Sequence, residues 1–204
     1  WESSFDYNAG TDIKVGTLGI RFDYYQRLTE NLLADVTLPN STGFNIVKDN
    51  LGKIKNEGVE LYLNYAVWQK ARNFVSLQFG VETNTNKIVE LSTSMKSYND
   101  RMNAIAADRG NNLPIKKYQD GMAMDAIWAV PSLGIDPATG NEIYVTRNGE
   151  TTYQWSASDM VVAGIARPKY RGTFGVQAEY QGVGVSVTAR YLGGGQLYNQ
   201  TLVD

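Results

Sequence analysis

The charged side chains within alternating polar and apolar stretches are the residues best suited to chemistry in this sequence. They are Arg21, Asp23, Glu60, Glu82, Glu179 and Arg190. Two carboxyl groups at one site hydrolyse glycosidic bonds, one as acid and the other as base or nucleophile. Nothing in the sequence places two of these carboxylates together. A glycoside hydrolase is therefore an alternative that still requires a buried carboxyl pair.

Most other catalytic chemistry is excluded by residue types that the chain lacks. The 204 residues contain no Cys and no His. Disulfides, Cys/His metal sites, imidazole bases and Ser-His-Asp or Cys-His systems are thereby excluded. The segment from Asp136 to Glu142 has two carboxylates but not the alternating ligands of a calcium loop, and we interpret it as a tight turn. The common catalytic routes are therefore disfavoured, and we expect no metal and no cofactor.

Charge and hydropathy narrow the class of protein further. Nineteen basic and 21 acidic residues give a formal charge of -2, without the basic excess of a nucleic-acid-binding protein. No apolar run reaches the ~18 residues that a membrane-spanning helix needs, and no signal peptide is visible. The 20 glycines and 13 tyrosines suit a membrane barrel, but they also suit a soluble all-β domain, which composition alone favours.

Alternation with a period of two predicts the elements that position these side chains. Phe174, Val176 and Ala178 alternate with glycine and polar residues, and Gln181-Gly182 then provides a hairpin turn before a second alternating stretch. The same pattern recurs along the chain. It predicts six strands near residues 5–15, 18–29, 57–68, 73–84, 172–180 and 183–192.

The segments between the strand pairs predict two long loops. Residues 30–56 are rich in Asn, Gly, Ser, Thr and Pro, and are predicted as a loop, in which only Leu32 to Leu38 offers a plausible extension of the second strand. Residues 85–169 are predicted as a loop with a small fold of its own. Apolar residues at helical spacing predict a short helix from an N-cap at Ser94 to a C-cap at Gly110, followed by small hairpins.

An amphipathic sheet of this kind has two interpretations. In a soluble β-rich carbohydrate-binding or adhesive module the apolar face looks inward, whereas in an outer-membrane barrel it meets lipid and the polar face lines the lumen. Strands of about 9 to 13 residues, alternating short and long connections, and aromatic residues at strand ends favour the barrel. The predicted fold is an all-β, antiparallel transmembrane β-barrel segment with the six charged residues facing the lumen.

Several longer motifs resemble a known family. They are Trp1-Glu2 before the first strand, FDYYQRLTENLL, LPNSTGF, NLGKIKNEGVELYLN, DGMAMDAIWAVPSLGIDPATGNEIYV, Arg167-Pro168 and GGQLYNQT. Together they cover nearly the whole chain. They resemble the C-terminal barrel half of the SusC/RagA-type TonB-dependent outer-membrane transporters of Bacteroidetes.

The resemblance implies a function that the residues alone do not. It implies a barrel of about 22 strands, closed by a plug on which TonB acts, and capped by a SusD-like lipoprotein. It also implies import of glycans or peptides across the bacterial outer membrane. No plug domain is recognised in residues 1–204, and six strands do not close a barrel. We therefore expect the chain to be part of a larger protein.

Four aromatic residues in the second long loop are candidates for contact with a substrate or a partner. Trp128 and Tyr144 lie in apolar contexts, which favours a role in the small core of the loop. Tyr153 and Trp155 have polar neighbours, so stacking on a ligand and packing in the core remain equally open for them.

Overall fold

The computed structural model of the chain describes residues 1–37, 46–71, 73–109, 116–197 and 199. One α-helix, α1, spans Thr93–Arg109. The strands, numbered along the chain, are β1 (Ser3–Val15), β2 (Leu18–Thr37), β3 (Ile46–Lys70), β4 (Asn73–Leu91), β5 (Ala126–Ala129), β6 (Ser132–Ile135), β7 (Glu142–Val145), β8 (Thr151–Thr152), β9 (Val161–Ile165), β10 (Tyr170–Tyr180) and β11 (Val183–Gly193).

Six long strands form one antiparallel sheet in the order β1-β2-β3-β4-β10-β11. The register keeps apolar residues opposite apolar residues, because side chains alternate between faces along each strand. One apolar row crosses the whole sheet through Ile13, Ile20, Leu63, Phe79, Phe174 and Ala189. The sheet is open, with β1 and β11 at its edges.

Short turns join the strands at one end of the sheet. Gln181 and Gly182 have φ values of 50° and 85°, which fits the two-residue turn predicted between β10 and β11. Gly16 begins the turn between β1 and β2 with a φ of 59°. Ala71, which follows β3, has a φ of 52°, a conformation uncommon for alanine.

The predicted loop over residues 30–56 is wrong from Ile46 onwards, whereas the suggested extension of the second strand from Leu32 is present as far as Thr37. β2 continues to Thr37 and β3 begins at Ile46, so both ends of the segment are strand, while residues 38–45 lie outside the described part. An irregularity near Leu32, with Asn31 at a φ of 55°, interrupts the register without ending the pairing. Tertiary contacts of Leu51 and Ile54 stabilise strands that local composition disfavours.

Near this extension, the polar face of the sheet becomes apolar. Ile54 and Ile88 are cross-strand partners on the face that carries polar residues closer to the short turns, and both are at most 1% exposed. Helix α1 covers them with Met95 and Tyr98. The helix therefore packs on the polar side of the sheet, above the polar residues and away from the apolar face.

The helix begins earlier than predicted. Ser92 performs the N-cap function that the sequence suggested for Ser94, because its hydroxyl accepts a hydrogen bond from the Met95 amide at 3.3 Å. Ser94 lies inside the first turn and donates to Asp49 at 3.1 Å. The predicted C-cap, Gly110, lies outside the described residues.

The remainder of the second long loop forms a small body with two sheets, β5-β9 and β6-β7-β8. A short 3-10 helix at Ala157–Asp159 contributes Ala157 to a core with Met160. The body is tied to β4 because the Ile88 amide donates to the Met122 carbonyl at 2.9 Å, and the Gly121 amide to the Ile88 carbonyl at 2.7 Å. None of the helices in the described residues is long and apolar enough to cross a membrane.

Candidate functional site

A concavity of about 930 Å³ lies on the polar face of the sheet, below the loop body. Strands β1 to β4 form its floor, and the segment entering β10 forms one side. Its lining contains carboxylates, guanidinium groups, amides and tyrosine hydroxyls, but few aliphatic side chains. This surface is suited to binding a polar ligand rather than to forming a core.

A row of charges crosses the floor of the concavity. Asp23 pairs in register with Glu60, Glu60 with Glu82, and Glu82 with Arg171. Arg171 also forms an ion pair with Glu82. Among the described residues, neither Asp23 nor Glu60 has an ion-pair partner within 4 Å. Cross-strand neighbours of like charge repel each other, so this part of the row attracts cations.

A hydrogen-bonded chain connects the floor to the base of the loop body. The Asn84 amide donates to the Tyr25 hydroxyl at 2.8 Å, and the Arg167 guanidinium donates to the Asn84 carbonyl at 3.1 Å. The backbone amide of Arg167 donates to Asp125 at 3.1 Å. Asp125 precedes β5 and Arg167 precedes β10, so the chain joins both ends of the loop body to β2 and β4.

Two further ion pairs stiffen the first hairpin on the same face. Arg27 binds Asp6 in a bidentate arrangement at 2.6 and 3.0 Å, and Arg21 binds Asp12 at 2.7 and 3.3 Å. Each pair joins β1 to β2 with parallel hydrogen bonds, the geometry that suits guanidinium and carboxylate groups.

All six predicted lumen-facing residues lie on one face of the sheet. The structure brings Glu60 and Glu82 together with Asp23, whereas Arg21 is engaged by Asp12. The other two are in different places: Glu179 lies opposite Gly184 near a short turn, and Arg190 opposite Thr173. Neither Glu60 nor Glu82 is buried, whereas the glycoside hydrolase alternative requires a buried carboxyl pair.

Sequence reasoning missed residues that the register brings into the concavity. Tyr25 and Asn84 fall within the predicted strands 18–29 and 73–84, and Arg171 directly precedes the predicted strand 172–180, but no sequence pattern brings the three residues together. Tyr25 contacts Asn84, and Arg171 contacts Glu82; the two residues of each pair are 59 or more positions apart along the chain. Only the register of β2, β3, β4 and β10 reveals these contacts.

The four aromatic candidates of the loop body differ in burial. Trp128 is 2% exposed and lies 5.3 Å from the ammonium of Lys117. Burial lowers the pKa of Lys117, and Arg147 lowers it further. Tyr144 is 9% exposed and donates to Glu142 at 2.6 Å. Both residues are therefore placed as core residues.

Tyr153 is the most accessible of the four, at 55% exposed. Its hydroxyl donates to Asp136 at 2.8 Å, which holds the ring at the surface. Asp136 also accepts bonds from the Ala138 amide and the Thr139 hydroxyl, both at 2.9 Å. Trp155 is half-buried and packs against the core of Ala157 and Met160.

The Asp136 carboxylate is occupied by these turn contacts, which agree with a tight turn. Across the described ranges, no group of three or more Asp and Glu residues is arranged to hold a metal ion.

The opposite face of the sheet is apolar and exposed. Val183 and Val187 on β11 are 71% and 61% exposed, and Phe174 on β10 is 45% exposed. A band of this kind is bordered by aromatic side chains: Tyr170 and Tyr180 lie at the two ends of the 11-residue β10. At about 3.4 Å per residue and a tilt of about 40°, they are roughly 25 Å apart along the barrel axis, which equals the height of a membrane barrel's apolar band.

Comparison with known proteins shows that the chain is similar to TonB-dependent receptors. No family model matches. The TonB-dependent receptor P3 of Formosa agariphila is 23% identical over the full length of this chain, and the TonB-dependent receptor SusC of Bacteroides thetaiotaomicron is 27% identical over 84% of it. The chain is similar to one segment of the TonB-dependent receptors. It spans about a fifth of the length of these relatives, 22% and 18%.

Solved structures agree on the fold. The RagAB peptide transporter superposes with a TM-score of 0.71 at 24% identity, over 95% of this chain and 21% of that chain. The RagAB peptide importer in the closed-closed state gives the same TM-score at 23% identity, over 96% and 21% of the two chains. The predicted resemblance to SusC/RagA-type receptors and the predicted fold class are thus confirmed, with an antiparallel sheet like a part of the RagA barrel.

The soluble alternative finds no support in the described residues. A soluble sandwich covers its apolar face with a second sheet, but both smaller sheets belong to the loop body. The helix α1 packs on the other face, as shown by the burial of Met95 at 0% exposed. In outer-membrane barrels, an exposed apolar face of this kind meets lipid.

Proposed function

We propose that this chain is part of an outer-membrane importer that takes up glycans or peptides in a TonB-dependent manner. The observation that carries the proposal is similarity to TonB-dependent receptors over the full chain, combined with an apolar outer face about as tall as a membrane. In this role no residue of the chain acts as a catalyst.

The polar face of the sheet then lines the lumen. Its concavity lies beneath the loop body, where a substrate entering from outside first meets the wall. The unpaired carboxylates Asp23 and Glu60 and the hydroxyl of Tyr25 offer polar contacts there. The lumen-facing residues in this proposal are Arg21, Asp23, Glu60, Glu82, Glu179 and Arg190.

The loop body lies on the external side and faces a SusD-like lipoprotein. Tyr153 is the residue we propose for stacking on substrate or partner, because its ring is exposed and its hydroxyl is fixed by Asp136. Trp155, half-buried against Ala157 and Met160, is the second candidate for such contact, whereas Trp128 and Tyr144 belong to the core of the loop body. Aromatic rings held in this way suit both sugar rings and peptide side chains.

Other parts of the working protein complete the barrel. The edge strands β1 and β11 carry backbone groups that require partner strands in lipid, since each unsatisfied group there costs several kcal/mol. We propose that these strands, and a plug domain on which TonB acts, belong to the protein of which this chain is one segment.

Cells that produce the complete protein provide the test. The protein should be recovered in the outer-membrane fraction and require detergent, and a lipoprotein should copurify with it. Deletion of its gene should abolish uptake of labelled oligosaccharides or labelled peptides, and the class that is lost identifies the substrate. Removal of TonB should have the same effect. Recovery of the complete protein as a monodisperse species in plain buffer, without detergent, would contradict the proposal.

A further inference from the structure

Two of the sequence motifs that resemble the transporter family meet at the base of the loop body. One is Arg167-Pro168, which follows β9, and the other is GGQLYNQT, which begins at Gly194 after β11. The Gln196 amide of the second motif donates to the Ile165 carbonyl at 2.9 Å, and the Ile165 amide donates to the Gln196 Oε1 atom at 3.1 Å. The end of β9 is thereby fixed to the segment that follows β11.

Strand β4 changes its neighbour at the level of these motifs. β10 pairs with β4 only as far as Tyr170, which lies opposite Thr83. Pro168 lacks the amide hydrogen with which a strand continues a ladder. Farther along β4, the segment that precedes β5 lies beside it instead, bound by two backbone hydrogen bonds of 2.7 and 2.9 Å. Asn84 of β4 is therefore placed at a fork between β10 and this segment.

Arg167 occupies the fork with its guanidinium group. Its Nη1 atom donates to Asn84 Oδ1 at 3.1 Å, and its Nε atom lies 3.4 Å from Asp125 Oδ2. The Arg167 backbone amide donates to the same Asp125 oxygen atom at 3.1 Å. Asp125 immediately precedes β5, so Arg167 joins β4 to both the beginning and the end of the loop body. The planar guanidinium makes both side-chain contacts at once, a geometry that a lysine ammonium does not reproduce.

The same residues form part of the wall of the concavity. Arg167 and Asn84 line it together with Tyr25, whose hydroxyl accepts the bond from Asn84 at 2.8 Å. The Arg167 side chain is 43% exposed, but its charge is compensated by Asp125. This part of the wall therefore acts through its shape rather than through a free charge.

We propose that Arg167 is the positioning residue that holds the loop body over the concavity, and that affinity for the imported substrate depends on this position. The inference rests on the proposed function. Displacement of the loop body would change the wall that a substrate contacts, although Arg167 itself need not touch the substrate. Gln196 still holds β9 when the Arg167 side chain is changed, so variants at Arg167 should assemble.

Uptake kinetics in cells that produce the complete receptor test this role, with labelled oligosaccharides and labelled peptides as the probes. R167M removes both side-chain contacts of Arg167. The concentration for half-maximal uptake should rise about tenfold, whereas the maximal rate per receptor in the outer membrane should change little. A hydrogen bond to a charged group shifts a conformational equilibrium by about this factor, and apparent affinity falls with the population of the docked state. The matched control R147Q changes an exposed arginine of the same loop body and should leave both values unchanged.

Two further variants distinguish positioning from a direct contact between charge and substrate. R167K keeps the positive charge but does not bind Asn84 and Asp125 together, so its uptake should remain impaired. The double variant N84A/R167M should be no more impaired than the more impaired single variant, because both changes break the same bond. Full recovery in R167K, or independent effects of N84A and R167M, would overturn the inference.

Hydrogen exchange of the purified receptor in detergent gives a readout that does not depend on uptake. R167M should accelerate exchange in β5 and β9, at the base of the loop body, and leave exchange in β3 unchanged. Unaltered exchange in β5 and β9 would also overturn the inference. If deletion of the gene leaves uptake intact, the proposed function fails, whereas the exchange result still tests the position of Arg167.

Discussion

The ring of Tyr25 lies across Gly58, its cross-strand partner on the polar face of the sheet. A Cβ atom on Gly58 would lie 2.3 Å from the Thr83 carbonyl oxygen, 2.5 Å from the Tyr25 hydroxyl oxygen and 2.6 Å from the Tyr25 Cζ atom. The glycine thus creates the space in which Tyr25 accepts its hydrogen bond from Asn84. This contact links the wall of the concavity to Arg167 and hence to the loop body.

Replacement of Gly58 by alanine should therefore displace Tyr25 and destabilise the barrel by about 1 to 3 kcal/mol, the usual cost of overpacking. Urea unfolding of the complete receptor in detergent measures the change. Gly175→Ala is the matched control, because its Cβ would lie 3.5 Å from the nearest atoms of Gln78 and Thr188. Equal effects of the two substitutions would show that crowding against Tyr25 and the Thr83 carbonyl is not the cause.

The two faces of β3 should respond oppositely to a charge. Leu63 lies in the central apolar row, so Leu63→Arg should cost about 2 to 4 kcal/mol if that face meets lipid. Asn64 is its neighbour on the polar face, and Asn64→Arg should be tolerated. The comparison requires the amount of each variant assembled in the outer membrane. Failure of Asn64→Arg to assemble would contradict a water-filled lumen at this position.

The packing of α1 on the sheet should depend on Met95. Its side chain is fully buried with Ile54 and Ile88, so Met95→Ala should destabilise this part of the structure by about 2 to 5 kcal/mol. Hydrogen exchange in residues 93–109 should accelerate, whereas exchange in β10 and β11 should not. Lys96→Ala, an exposed neighbour, serves as the control. Unchanged protection of the helix would show that other contacts hold it.

The pKa of the Tyr153 hydroxyl should depend on its hydrogen bond to Asp136. The Ala138 amide is the main cause that lowers the pKa of Asp136, and the Tyr153 hydroxyl adds to it. The bond to Asp136 raises the pKa of Tyr153 above its ordinary value of 10.0. The stability that this hydrogen bond contributes is therefore fully present between the pKa of Asp136 and the pKa of Tyr153 in the unfolded chain. It is lost as the pH falls through the folded-state pKa of Asp136, or as the pH rises through the folded-state pKa of Tyr153.

The variant Asp136→Asn should return the pKa of Tyr153 towards 10.0, because the negative charge that opposes tyrosinate formation is removed. Tyrosinate absorbance, compared with that of Tyr153→Phe to isolate the residue, measures the shift. Glu150→Gln removes a nearby charge of the loop body as a control. An identical titration in the Asp136→Asn variant would exclude the bond as the cause.

The sequence by itself determined the strand pattern and the chemistry of each face. Alternation is a local property, since neighbouring side chains of a strand point to opposite faces. Phe174, Val176 and Ala178 were therefore placed on one face without knowledge of their partners. The family resemblance could also be recognised from the sequence, because it consists of motifs of consecutive residues.

Only the tertiary structure decided where the strands end and which residues meet. Polar composition predicted a loop over residues 30–56, but burial of Leu51 and Ile54 beneath α1 extends β2 and β3 through much of it. The contacts of Tyr25 with Asn84 and of Arg171 with Glu82 join residues far apart along the chain. Their formation depends on strand register, which the pairing of whole apolar faces determines and no local pattern encodes.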